Sequence, residues 1–141
     1  MSDRRREVGQ AMAEYALLAA LFFTLLIFIL DGSRILWGYV ATSHLATVGA
    51  RYAIVRGALA EPPAVRVGPA NYEALKKAVI ESAWGLDRSQ VAVEAKWEDE
   101  SNAPGKMVTV VVTYRIGSVT NLLWAGRTLT LVGRASMIIQ N

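Results

Sequence analysis

The chain has no cysteine, one histidine, and one charged side chain between residues 10 and 30. Without cysteine there are no disulfides and no thiolate metal sites, whatever the redox state of the compartment. A lone histidine, His44, excludes a histidine-based metal cluster. On a long apolar helix it reads as a packed or half-exposed side chain, not a catalytic one. P-loop, dinucleotide fingerprint and nucleophile elbow are all missing, and no serine has a base placed beside it. The acidic group Glu98-Asp99-Glu100 lacks the ligand spacing of a calcium loop and reads as a solvated turn. The net charge of +3 is small and scattered. No basic patch interleaved with stacking aromatics accompanies it, so nucleic acid is not an expected partner. These absences leave no catalytic residue, metal or cofactor to name, and the expectation is a protein that is not an enzyme.

What the chain does have is an apolar run over residues 9–30, GQAMAEYALLAALFFTLLIFIL, preceded by Arg4, Arg5 and Arg6. As a helix rising ~1.5 Å per residue it reaches roughly 30 Å, one bilayer core. The three arginines fit the rule that holds the basic flank in the cytoplasm. Glu14 is the one charge inside the run, and a carboxylate there costs several kcal/mol unless it is partnered. It lies one helical turn after Gln10. An uncleaved anchor, with Glu14 reaching back to the headgroups, is one explanation. A secretory signal peptide fits less well, because the run is long and no small-x-small site follows it.

The polar Asp31-Gly32-Ser33-Arg34 marks the far interface, with Trp37 and Tyr39 just beyond it as interfacial aromatics. Asp31 and Arg34, three apart, are spaced to pair on a helix. The helix is expected to run on to Arg56-Gly57. Trp37, Ala41, Leu45, Val48, Tyr52 and Val55 form its apolar stripe, while Leu36, Tyr39 and Ile54 serve a second face. Gly32, Gly38 and Gly49 each weaken the helix and mark bends or close approaches. Residues 60–69, rich in proline and glycine, read as a loop. Residues 69–86 read as a second helix with Tyr72, Leu75, Val79 and Ala83 inward and Glu73, Lys76, Lys77 and Glu81 on a solvated face.

Alternation then predicts strands over residues 91–97, 107–116 and 128–139. Their inward sides carry Val91, Val93 and Trp97, then Val108, Val110, Val112, Tyr114 and Ile116, then Leu129, Leu131 and Ile139. The link at 117–127 holds Leu122-Leu123-Trp124, read as a plug for the end of the core or as an exposed anchor. The fold class is α+β and pilin-like. A long N-terminal transmembrane helix extends into a small head with a second helix and a three-stranded antiparallel sheet. Three segments are expected: 1–9 a basic leader, 10–57 the long helix, 58–141 the head.

The motifs resemble a known family. Gly9 with Glu14 and Tyr15 as the fifth and sixth residues after it resembles the processing site of type IV prepilins, in the Glu-Tyr form of tight-adherence (Tad, Flp-type) pili. Asp31-Gly32-Ser33-Arg34 is similar to the Asp-x-Gly-Arg element of TadE-like minor pseudopilins, with glycine displaced by one place. Gly49-Ala50-Arg51-Tyr52-Ala53 is similar to a Gly-Ala-Arg-Tyr-Ala run of the same family. The resemblance covers roughly the first 57 residues and implies a cut between Gly9 and Gln10 by a prepilin peptidase. The new α-amine, with a pKa of ~7.7–8.0, would be mostly protonated near neutral pH and able to pair with Glu14. It further implies a minor pseudopilin of pilus assembly, with possible links to adhesion and secretion. Its partners would be other pilins and pseudopilins, the peptidase, the inner-membrane assembly platform and the membrane itself. The expected location is a single pass of the inner membrane, N-terminus cytoplasmic and head periplasmic or extracellular. The alternative is an uncleaved, membrane-anchored binding module, which needs neither Gly9 nor Glu14.

Overall fold

The computed structural model describes residues 2–61, 63–117 and 126–140, with side chains from residue 8 onward. The segment Leu122-Leu123-Trp124 lies outside the described residues. Helix α1, Ser2–Ile54, is followed by helix α2, Glu73–Glu81, and strands β1, Val91–Trp97, β2, Met107–Gly117, and β3, Thr128–Ile138. The strands form one antiparallel sheet in the order β1-β2-β3. The α+β architecture expected from the sequence is present, with a long apolar N-terminal helix, a second helix and three strands.

The core lies between the helices and one face of the sheet. Alternation along the strands decides which side chains enter it. Val108, Val110 and Val112 of the central strand are fully buried, with Val93 and Trp97 of β1 and Leu131 of β3 beside them. The other face carries Glu94, Lys96, Thr130, Arg134 and Ser136, all exposed.

The long helix packs on a different face from the one its large residues suggest. Trp37 and Val55 of the expected stripe are exposed, and Tyr52 and Val48 are only half-buried. The buried line is Gly38, Thr42, Ala46, Gly49, Ala50 and Ala53, with Leu45 as its one large member. Close approach explains the choice. A β-carbon at Gly38 would sit 2.8 Å from Leu131 Cδ1, and one at Gly49 would sit 2.9 Å from both Val110 Cγ1 and Val79 Cγ2. From the sheet side, a β-carbon at Gly133 would overlap the carbonyl of Thr42. Small residues thus let the helix backbone lie nearly on β3 and β2, and interior-density packing leaves no room for more. Gly32 behaves otherwise. It is exposed, a β-carbon there meets nothing within 4 Å, and α1 runs through it unbroken.

The second helix is shorter than its periodicity predicts. Gly68 and Asn71 exchange two backbone hydrogen bonds, at 3.1 and 3.0 Å, so the segment around Pro69 is a closed turn and not a first helical turn. The helix stops at Ser82, whose hydroxyl donates to the Ala78 carbonyl at 2.8 Å. Ala83 and Leu86 stay buried beyond its end, which is why the apolar period outlasts the helix. Leu75 and Val79 are its fully buried residues, and Glu73–Lys76 and Lys77–Glu81 are exposed pairs at 3.9 Å. Loop and C-terminal backbone secure the upper end of α1. Gln140 N–H donates to the Ile54 carbonyl at 3.2 Å, and Val67 N–H to that of Arg56 at 2.8 Å.

Candidate functional site

The part of the molecule that carries the sequence motifs is α1, so the site is built along it. Along the apolar run of its first half, nothing among the described residues of the head covers the helix. Leu17, Phe22, Phe23 and Ile29 are all exposed, and the most apolar window of 18 residues is 0% buried. One helix is therefore long and apolar enough to cross a membrane. Polar groups inside this stretch are satisfied within the helix itself. The Thr24 hydroxyl donates to the Ala20 carbonyl at 2.7 Å, as back-bonding threonines do.

Glu14 has a partner of the same kind. The side-chain amide of Gln10 donates to Glu14 Oε1 at 3.1 Å, so the one-turn spacing read from the sequence brings these two residues into contact. Tyr15 is 74% exposed. Gly9 is helical and exposed, and a β-carbon there would meet nothing within 4 Å. Packing therefore gives no reason for glycine at this position, although helix propensity disfavours it by ~1 kcal/mol relative to alanine.

At the far end of the run, Asp31 and Arg34 are separated by burial. Asp31 is 4% exposed while Arg34 is exposed. The ion pairs among the described residues are Lys76–Glu73, Lys77–Glu81 and Lys106–Asp99, so the expected Asp31–Arg34 bridge is not among them.

The Gly49-Ala50-Arg51-Tyr52 run divides by face. Gly49 and Ala50 lie against the sheet and α2, Arg51 is exposed, and Tyr52 is half-buried under the guanidinium of Arg56, 3.8 Å above its ring. Its glycine is thus a packing requirement, unlike those at 9 and 32.

The acidic turn after β1 is occupied by its own chain. Asp99 pairs with Lys106, and Glu98 Oε2 accepts from Met107 N–H at 3.0 Å. The bond to Asp99 holds the Lys106 ammonium above its ordinary pKa. Asp87 lies in the link between α2 and β1, and its carboxyl is held below the usual range by the Ser89 hydroxyl and N–H. Among the described residues no group of three or more histidine, aspartate or glutamate side chains could hold a metal ion. The indole N–H of Trp97 is buried with no acceptor among the described residues, its ring 5.8 Å from that of Tyr72.

One residue escaped the sequence reading, while the adjacent Gly85 reads there only as fraying the end of the second helix. Trp84 is 85% exposed, and with Trp37, Val40, His44 and Leu86 it lines an open cleft of about 390 Å³. The following Gly85, at φ +68°, seats its backbone on the Trp37 ring. No period singles out Trp84, because it follows the end of α2 in irregular backbone. The available signal was a tryptophan directly before a glycine at a predicted helix end.

No curated protein and no solved structure matches the chain. Residues 9–51 match the family model described as TadE-like protein, a stretch running from the glycine of the expected cut to the arginine of the Gly49 run. The similarity to the TadE-like family thus lies along α1.

Proposed function

We propose that the protein is a structural minor pseudopilin for assembly of a Tad-type pilus, not an enzyme, and that a prepilin peptidase cuts it between Gly9 and Gln10. The observation that carries this reading is the contact of Gln10 with Glu14 on an otherwise apolar, uncovered helix. Cleavage would place a protonated amine on the residue that already reaches the carboxylate. An ion pair replaces a neutral amide as partner, in surroundings where a lone carboxylate is costly. The same amine on a neighbouring subunit would set register between helices. A glycine at position 9 that packing does not require fits a peptidase that needs a small residue there. In this reading the first nine residues face the cytoplasm, α1 crosses the inner membrane, and the head lies outside the cytoplasm. Its partners are other pilins and pseudopilins and the assembly platform.

Intact-mass measurement of the protein from cells containing the peptidase tests the cut. The expected mass lacks the first nine residues, and Gly9→Leu restores the full-length mass. A full-length mass for the unmodified chain from those cells would overturn the processing and favour the uncleaved, anchored binding module.

A further inference from the structure

The end of the head nearest the apolar run differs in charge from the rest. Because α1 is unbroken, height along it follows from its rise. Arg34 lies roughly 6 Å beyond Leu30, within a headgroup layer of about 5–8 Å. Helical side chains lean toward the N-terminus, so the Trp37 ring covers the turn below its own Cα and comes down to the same level. A cleft at this level is walled by Arg34, Trp37, Gly85, Leu86, Tyr114 and Ile116. The loop after α2 and one end of the sheet therefore descend to Arg34.

Strand register adds further arginines to this end. Arg115 pairs with Thr130 and Gly117 with Thr128, which places Arg115 and Arg127 there. Ser89 and Gln90 share a shallow cleft with Arg115, and Arg88 precedes them. Arg34, Arg88, Arg115 and Arg127 are all exposed. The acidic groups at this end are Asp31, which is buried, Asp87, which Ser89 engages, and Glu81, whose carboxylate lies 3.9 Å from Lys77 and whose carbonyl accepts from Arg88 Nη2 at 3.2 Å. Glu98, Asp99 and Glu100 lie at the other end of β1.

We propose that this end of the head is a docking surface for anionic phospholipid headgroups. The four arginines meet lipid phosphates, which the guanidinium fork matches in geometry, and Trp84 joins Trp37 in the headgroup layer, where indoles are favoured. The head then rests on the bilayer instead of standing away from it. A second copy of the chain fits this surface less well, because a two-fold contact would set like charges against one another. The inference rests on α1 spanning a bilayer and is independent of cleavage.

The absence of native cysteine allows single spin labels on the full chain. Labels at Ser82→Cys, near Trp84, at Pro104→Cys, on the distal turn, and at Phe22→Cys, in the span, are read in vesicles by collision with a water-soluble nickel reagent. With phosphatidylglycerol in the vesicle, the Ser82 label loses most of its accessibility while the Pro104 label keeps it. Pure phosphatidylcholine, or the double variant Arg115→Gln/Arg127→Gln, restores accessibility at Ser82 with the near-ultraviolet circular dichroism of the head unchanged. A Ser82 label that stays aqueous in anionic vesicles while Phe22 is shielded overturns the docking alone. Equal shielding in phosphatidylcholine, whose phosphate is balanced by choline, overturns the requirement for net negative charge. Shielding that appears only with dipolar broadening between labels assigns the surface to another copy of the chain. An aqueous Phe22 label overturns both the docking and the span.

Discussion

The two halves of α1 share one backbone and one apolar character, yet they are built from opposite materials. The first half presents Leu17, Phe22, Phe23 and Ile29 outward on all sides, and its most apolar window is covered by nothing among the described residues. The head half turns its large residues, Leu36, Trp37 and Tyr39, outward and buries Gly38, Ala46, Gly49 and Ala50. Lipid is a fluid partner, so side chains facing it need only be apolar. A β-sheet is a rigid partner, and a helix laid on it at close range must yield volume where Gly133 and Val110 stand. Hydrophobicity alone does not distinguish the halves; side-chain size against a fixed neighbour does.

Glu14→Ala probes the first half most severely. It is expected to leave insertion and head folding intact while abolishing piliation, read by electron microscopy of cells; unchanged piliation would remove Glu14 from assembly. In the head half, Gly133→Ala drives a methyl into the Thr42 carbonyl, and Gly49→Leu strikes Val110 and Val79. Each is expected to destabilise the head by about 2–3 kcal/mol, measured as a lowered denaturation midpoint of the detergent-solubilised chain. An unchanged midpoint for either would mean that the helix does not ride on the sheet as closely as described. Gly32→Ala reverses the sign, because a β-carbon there meets open space; helix propensity predicts a gain of up to about 1 kcal/mol in the same measurement.

The smallest effects concern the exposed polar turns of the head, far from both packing regimes. Lys106 is raised above 10.5, first by its hydrogen bond to Asp99. Its contribution is present in full below the unfolded lysine value and fades as pH rises through the folded value, so Lys106→Met should flatten the alkaline limb of the stability profile. Asp87 is lowered below 3.8 by Ser89, so its contribution holds above that value and fades as pH falls through the folded one. Asp87→Asn should flatten the acid limb.

Strand positions and the inward sides of β1, β2 and β3 were legible because a half-buried strand must alternate, and Val108, Val110 and Val112 obey that period. The one-turn spacing of Gln10 and Glu14 was legible because it is a local property of any helix, whereas the side-chain amide as the partner of Glu14 was not read from it. The buried face of α1 was not legible, because large apolar residues predict burial only where nothing forces close approach. The start of α2 was lost to the paired Gly68–Asn71 turn, and Trp84 fell outside any period.

By itself, the sequence determined the apolar span, the placement of Glu14 one turn after Gln10, and the two-residue rhythm of the sheet, since each depends on neighbours along the chain. Tertiary structure alone decided which glycines are packing requirements and how four arginines distant in sequence come to one end of the head. Those outcomes depend on which surfaces meet, and strand register and helix crossing set that only once the chain has folded.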